Sequence, residues 1–389
     1  MLKFIRIFPI ALVLYEVLVY LSTDMYLPAL PAVRSFFSLD TQAAQTTLTM
    51  WFLGAGCCQI LTGPLSDNLG RRPIMLTSML IFALACHICS ITSNYHVFLA
   101  ARFVQGAMIG PIFVAGYAAI HEQFSEQQSI KLLALMSIIT LIAPTLGPII
   151  GASIMQVASW HALFSVLTIT SSLSFVMLFL SMPETLQQKQ PLAIGAVASS
   201  YYSAIKSYKF IGPILCNCLT FGAMIAWLTM GAFITHSLGF SEHEYSFTQA
   251  FVFACFILGN RVIPIALKYR SPEQIIKYGL IFSIVAGSFC FIIYQYQNTN
   301  SLAIFTLSLI TFGLGMCGPN LQKLAVNNSQ QATGLKMAIY SMMISVFGAL
   351  SSFLSGLIQE NWQNLIIIML GCSLLALVLH LSWMLICKK

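Results

Sequence analysis

Two carboxylates and one guanidinium stand among residues where charge is rare. Glu16 interrupts the apolar run Ala11-Leu12-Val13-Leu14-Tyr15-Glu16-Val17-Leu18-Val19-Tyr20. Asp24 follows eight residues later, and Arg102 opens Arg102-Phe103-Val104-Gln105-Gly106 in another apolar run. An ionised carboxylate in a membrane-spanning helix is expensive. It is expected to be partly neutral, to face a cavity or to have a partner, and such acids mark ion and substrate paths. Such a group can take a proton from one side and release it to the other. The alternative is a carboxyl that hydrogen-bonds a neighbouring helix. Eight residues of one helix place Asp24 about 12 Å further along the axis and about 80° round. Both acids can then line one cavity, with Tyr20 between them and Thr23 beside Asp24. A buried Arg102 needs a carboxylate or several carbonyls. Near Asp24 or Glu16 it would favour the charged carboxylate and keep the site exchangeable; the alternative is a side chain snorkelling to the surface. Gln105 lies one turn from it.

Two further clusters concern movement. The first is Gly63-Pro64-Leu65-Ser66-Asp67-Asn68-Leu69-Gly70-Arg71-Arg72-Pro73. Its glycines allow a tight connection between two helices. Asp67 at one helix end can bond the N–H groups that start the next, where a negative charge is favoured. Arg71 and Arg72 would hold the loop at an anionic membrane surface. The second is Pro144-Thr145-Leu146-Gly147-Pro148-Ile149-Ile150-Gly151. Pro144, Gly147, Pro148 and Gly151 weaken a helix locally and let neighbours pack closely. Tyr117, Trp227 and Met230 are candidates for an apolar substrate pocket, as are Phe251 and Phe253.

The elements that carry these residues follow from composition. Of 389 residues, 58% are hydrophobic and 7% charged, against about 25% charged in soluble domains. Mean hydropathy is +0.85. A soluble enzyme, a disordered chain and a disulfide scaffold are excluded, and a β-barrel would alternate apolar with polar residues. An all-α membrane protein remains. Apolar runs at 5–31, 42–63, 74–92, 97–120, 130–156, 161–182, 210–236, 244–267, 274–294, 300–323, 334–357 and 363–386 predict 12 transmembrane helices. Residues 1–182 form a six-helix bundle, 183–209 a cytoplasmic linker and 210–389 a second six-helix bundle, the plan of many secondary transporters. Gly63 to Pro73 is matched with Gly259 to Pro272 as the corresponding connection of the two halves. With the N-terminus in the cytoplasm, fifteen Lys/Arg fall inside, Lys3, Arg6, Lys388 and Lys389 among them, and only Arg34 outside.

The 11 cysteines lie mostly in apolar runs and read as small hydrophobes. Cys86-His87-Ile88-Cys89 lacks a second ligand pair, so no metal is expected. The net charge of +7 reflects basic loops rather than nucleic-acid binding.

The 63–73 segment resembles the signature between helices two and three of the major facilitator superfamily. Arg102 to Gly106 resembles its helix-four motif, and Pro144 to Gly151 the helix-five motif of its antiporters. Leu21-Ser22-Thr23-Asp24-Met25-Tyr26-Leu27-Pro28-Ala29-Leu30-Pro31 looks like helix one of the Bcr/CflA drug exporters, while Leu14-Tyr15-Glu16 looks like that of a related multidrug exporter. The resemblance implies two pseudo-symmetric six-helix halves in the inner membrane and proton-coupled efflux of small lipophilic or cationic compounds. Coupling falls to Glu16, Asp24 and Arg102, gating to Gly63, Asp67, Gly70, Arg71, Arg72 and the 144–151 motif. It implies a monomer driven by the proton gradient without a cofactor or enzymatic step. The alternative is a carrier for one endogenous metabolite, such as a siderophore.

Overall fold

The computed structural model describes residues 7–189, 194–297, 299–328 and 333–387. The terminal basic residues Lys3, Arg6, Lys388 and Lys389, and linker residues 190–193, lie outside them. The described residues are helical with short connections and contain no strand. In chain order the elements are α1 Ile7–Asp24, α2 Leu30–Phe36, α3 Thr41–Leu69, α4 Arg71–Ile91, α5 Tyr95–Ala107, α6 Tyr117–Gln123, α7 Glu126–Val157 and α8 His161–Ser181. Then come α9 Ile194–Ile205, α10 Tyr208–Ser237, α11 Glu242–Ala266, α12 Pro272–Gln297, α13 Asn300–Gly315, α14 Gly318–Asn327, α15 Thr333–Gly356 and α16 Trp362–Cys387. Eleven stretches are long and apolar enough to cross a membrane, and a shorter apolar stretch, Ile142–Val157, lies within the 32-residue α7. These are the helices of a 12-span fold.

Several spans are built from two pieces. Pro28 and Pro31 do not end the first span. A 3-10 turn at Leu27–Ala29 leads into α2, so the apolar stretch runs from Ile7 to Phe36 and Asp24 falls within it. The fourth span joins α5 to α6 through a π-helical segment, Ile112–Gly116, which follows Pro111. In contrast, α7 continues through Pro144 and Pro148. The expected linker is not merely a connection: it contains α9, whose Ala204 packs with Phe210, Ile211 and Ile214 of α10 in one apolar cluster.

The chain divides into two compact units, Met1–Ala198 and Ser199–Lys389. Their internal packing repeats. In the first, α3 lies against α5, α4 against α8, and α1 against both α7 and α8. In the second, α11 lies against α13, α12 against α16, and α10 against both α15 and α16. Glycines set the closest crossings. A Cβ on Gly54 would overlap the Phe103 carbonyl, and one on Gly106 the Trp51 carbonyl. In the second unit a Cβ on Gly259 would overlap the Phe312 carbonyl, and one on Gly315 the Phe256 carbonyl. Each glycine meets the carbonyl three residues before its partner. Gly259 therefore corresponds to Gly54, not to Gly63, while the α3–α4 and α11–α12 connections still occupy corresponding places.

Candidate functional site

Glu16 is fully buried in α1, at 0% exposure. Its Oε1 accepts a hydrogen bond of 3.1 Å from the Tyr117 hydroxyl. Tyr117 opens α6, where the π-helical segment ends. A π-turn inserts an extra residue and redirects the side chains around it. The Phe113 ring in that segment stands 5.5 Å from Tyr117 and 6.3 Å from Tyr20. Glu16, Tyr20 and Tyr117 thus gather around one aromatic corner, and both tyrosines are only half-buried.

Asp24 ends α1 and is 5% exposed. Its Oδ2 is buried and has no hydrogen-bond partner among the described residues, as is true of Thr23 Oγ1. The wall beside it comes from α7. A Cβ on Gly147 would overlap the Asp24 Cβ and stand 3.2 Å from its carbonyl carbon. One turn on, a Cβ on Gly151 would overlap the Met25 carbonyl. The glycines of the 144–151 motif let α7 press on the turn that ends α1.

Arg102 is also fully buried, but it pairs with neither acid. Its Nη1 donates to the Ser22 carbonyl at 2.8 Å and to Gln105 Oε1 at 2.7 Å. Its guanidinium lies over the Tyr26 ring at 4.6 Å and faces Phe164 at 5.8 Å. Its Nε and Nη2 have no partner among the described residues. Gln105 passes the chain on, donating to Cys86 Sγ at 3.2 Å. Of the two kinds of partner expected, a carboxylate or several carbonyls, the fold supplies a carbonyl, joined by an amide and aromatic faces. Snorkelling is also excluded by the burial. Tyr26 and Phe164 were not singled out from the sequence, and Cys86 was weighed only for a metal.

The 63–73 segment is rearranged as well. Gly63 and Pro64 lie inside α3, which continues to Leu69, so Gly70 alone connects α3 to α4. Gly70 has φ 115°, and a Cβ there would overlap Glu184 Oε2. Asp67 does not cap α4. Glu184 does, accepting from the backbone N–H of Arg71 at 3.0 Å and of Arg72 at 3.3 Å. An acid at that helix start opposes the positive end of the dipole. Arg71 is turned inward rather than toward lipid headgroups. It pairs with Asp67 at 2.6 Å and Glu122 at 3.1 Å and donates to Ser66. Arg72 donates to the Phe179 carbonyl at 2.8 Å and lies over that residue's ring. Glu122 and Glu184 are site residues the sequence reading missed; the only signal was an acid at the end of an apolar run.

Trp227 and Met230 belong to the second unit and are wholly buried in it. Trp227 stacks on Trp362 at 6.0 Å. Phe253 is buried while Phe251 is half exposed, as a lipid-facing residue would be. Among the described residues no three His, Cys, Asp or Glu side chains converge on a metal site. Cys86 and Cys89 point inward while His87 is exposed.

The comparisons with known proteins agree with this geometry. The family model of the Major Facilitator Superfamily matches residues 12–335. The multidrug transporter MdfA of Edwardsiella piscicida is 33% identical over 386 residues, covering 96% of this chain and 94% of the relative. The multidrug resistance protein MdtM of Escherichia coli (strain K12) is 32% identical over 349 residues, covering 87% and 83%. A crystal structure of a D-xylose-proton symporter superposes with a TM-score of 0.76 at 15% identity, covering 97% of both chains; at that identity it bears on the fold alone.

Proposed function

The chain belongs to the major facilitator superfamily, and on that premise we propose that it is a multidrug efflux antiporter, exporting small lipophilic or cationic compounds in exchange for protons. One observation carries the reading: Glu16 and Asp24 are the two buried carboxylates among the described residues, and both sit on one helix of the first unit. The names of its relatives, a multidrug transporter and a multidrug resistance protein, support the breadth of substrate.

The cycle uses what each group can do. Substrate entering from the cytoplasm or inner leaflet displaces a proton from Glu16 or Asp24. Cation and proton compete for a carboxylate, so two acids suit cationic compounds, and either acid can serve a neutral one. Tyr117 orients the Glu16 carboxyl through its hydroxyl. Arg102 holds the Ser22 carbonyl, two residues from Asp24, and so fixes where α1 ends. The two bundles then rock about the site. Protonation from the far side releases the substrate, and each charge moved gains about 2.3 kcal/mol per 100 mV.

The protein works as a monomer in the inner membrane, with both termini cytoplasmic, and needs no cofactor beyond the proton gradient. Fifteen basic residues against one support that orientation. Proteoliposomes test the exchange. A proton gradient opposed to the direction of substrate movement drives antiport, while co-movement of proton and substrate would show symport and overturn the reading.

A further inference from the structure

Gln249 occupies a position that packing alone does not explain. On α11, Tyr245, Gln249, Val252 and Phe253 are buried, while Phe247 and Phe251 are exposed. This is the inward stripe of a helix, at i, i+4, i+7 and i+8. A leucine would fill the place. The chain instead buries a primary amide at 0% exposure, and neither its Oε1 nor its Nε2 has a hydrogen-bond partner among the described residues. Leaving both ends of an amide unpaired in an apolar interior is costly.

Polar side chains around it are satisfied by contrast. Ser246 donates to the Glu242 carbonyl, Thr248 to that of Glu244, and Thr311 to that of Val252. On Gln249 both ends of the side chain are left unmet, and one group of α10 shares that condition. One turn before Gln249, the Tyr245 ring lies 6.1 Å from that of Trp227. The Trp227 Nε1 is also buried and without a partner among the described residues. Gln249 thus lies one helical turn from Tyr245, whose ring joins Trp227 and Trp362 in one aromatic cluster.

We propose that Gln249 anchors a substrate subsite within the second unit. It takes neutral aryl compounds that present a paired hydrogen-bond donor and acceptor, such as a primary or secondary amide, with the aryl ring against the Trp227 wall. This rests on the transport reading above and extends it. The buried acids of the first unit select cations; Gln249 gives neutral polar compounds a foothold of their own.

The test is titration calorimetry on purified full-length protein with three probes. These are benzamide, N,N-dimethylbenzamide (which lacks the donor) and tetraphenylphosphonium, a cation without hydrogen-bonding groups. The wild-type protein is expected to bind benzamide about tenfold more tightly than its dimethyl form, as one hydrogen bond at a buried site warrants. Gln249→Met keeps the length and removes the amide; it should abolish that preference while leaving tetraphenylphosphonium affinity within about twofold. Trp227→Phe should narrow the preference without abolishing it. The same preference in wild type and Gln249→Met would overturn the proposal, because a buried water then satisfies the amide. Equal loss of all three probes would overturn it too, marking Gln249 as structural. Absence of the preference in wild type does the same without any variant. Failure of tetraphenylphosphonium–proton exchange in wild-type proteoliposomes would instead count against the transport reading.

Discussion

Asp24 and Gly147 meet across two helices with no room for a side chain between them. A Cβ on Gly147 would overlap the Asp24 Cβ. The proposed proton carrier therefore sits against the one motif whose prolines and glycines set how closely α7 approaches.

Gly147→Ala and Gly151→Ala should each push α7 away from the turn that ends α1. Overpacking of this kind costs about 1–3 kcal/mol, and efflux should fall at least as far as stability does. Gly63→Ala is the control. The nearest atom to its Cβ is Val114 Cγ1 at 3.9 Å, so that variant should export at close to the wild-type rate. Efflux from loaded cells, read beside melting of the purified proteins, checks both halves.

Arg102→Lys should fail although it keeps the charge. An ammonium cannot reproduce the planar guanidinium that bonds the Ser22 carbonyl and Gln105 while lying over Tyr26. A loss of about 1–3 kcal/mol is expected from the broken buried network, with transport of cationic and neutral compounds falling together. Retained transport in Arg102→Lys would show that Arg102 acts through its charge instead.

Glu184→Ala should destabilise the start of α4 by about 1 kcal/mol, the usual cost of a lost helix cap. Glu184→Gln should keep part of the cap and lose less. Asp67→Asn leaves that cap untouched, so it should lower transport without an equal fall in melting temperature. If Asp67→Asn melts as early as Glu184→Ala, the division of labour drawn from the hydrogen bonds is wrong.

Tyr117→Phe should weaken export by about fivefold, the effect of one hydrogen bond of about 1 kcal/mol, and leave the fold intact. Glu16→Gln should go further for cations, because it removes the exchangeable charge as well. Initial rates of cation efflux from proteoliposomes rank the two.

Residue by residue, the sequence was legible where charge was scarce. Glu16, Asp24 and Arg102 stood out because an apolar chain of 389 residues has 11 acids and 18 Lys/Arg. The partner of Arg102 was not legible. The sequence left a carboxylate or several carbonyls open, and the fold supplies a carbonyl and an aromatic face, groups every sequence has in abundance. Glu184 was hidden for another reason: it lies 113 residues from the N–H of Arg71 that it caps. The internal repeat was obscured by unequal spacing. Gly54 and Gly106 are 52 residues apart and Gly259 and Gly315 are 56 apart, so only the reciprocal carbonyl contacts disclose the correspondence. The prolines were read with mixed success. The first span was expected to end at Pro31 and continues to Phe36, while Pro144 and Pro148, read as a local weakening, lie in a helix that runs through.

Substrate-induced proton release tests the central claim most directly. Tetraphenylphosphonium is added to purified protein in weakly buffered solution and the released protons are counted with a pH dye. Release is predicted for the wild type, less from Glu16→Gln and from Asp24→Asn, and none from the double variant. Undiminished release from the double variant would contradict the assignment of the proton to these two carboxylates.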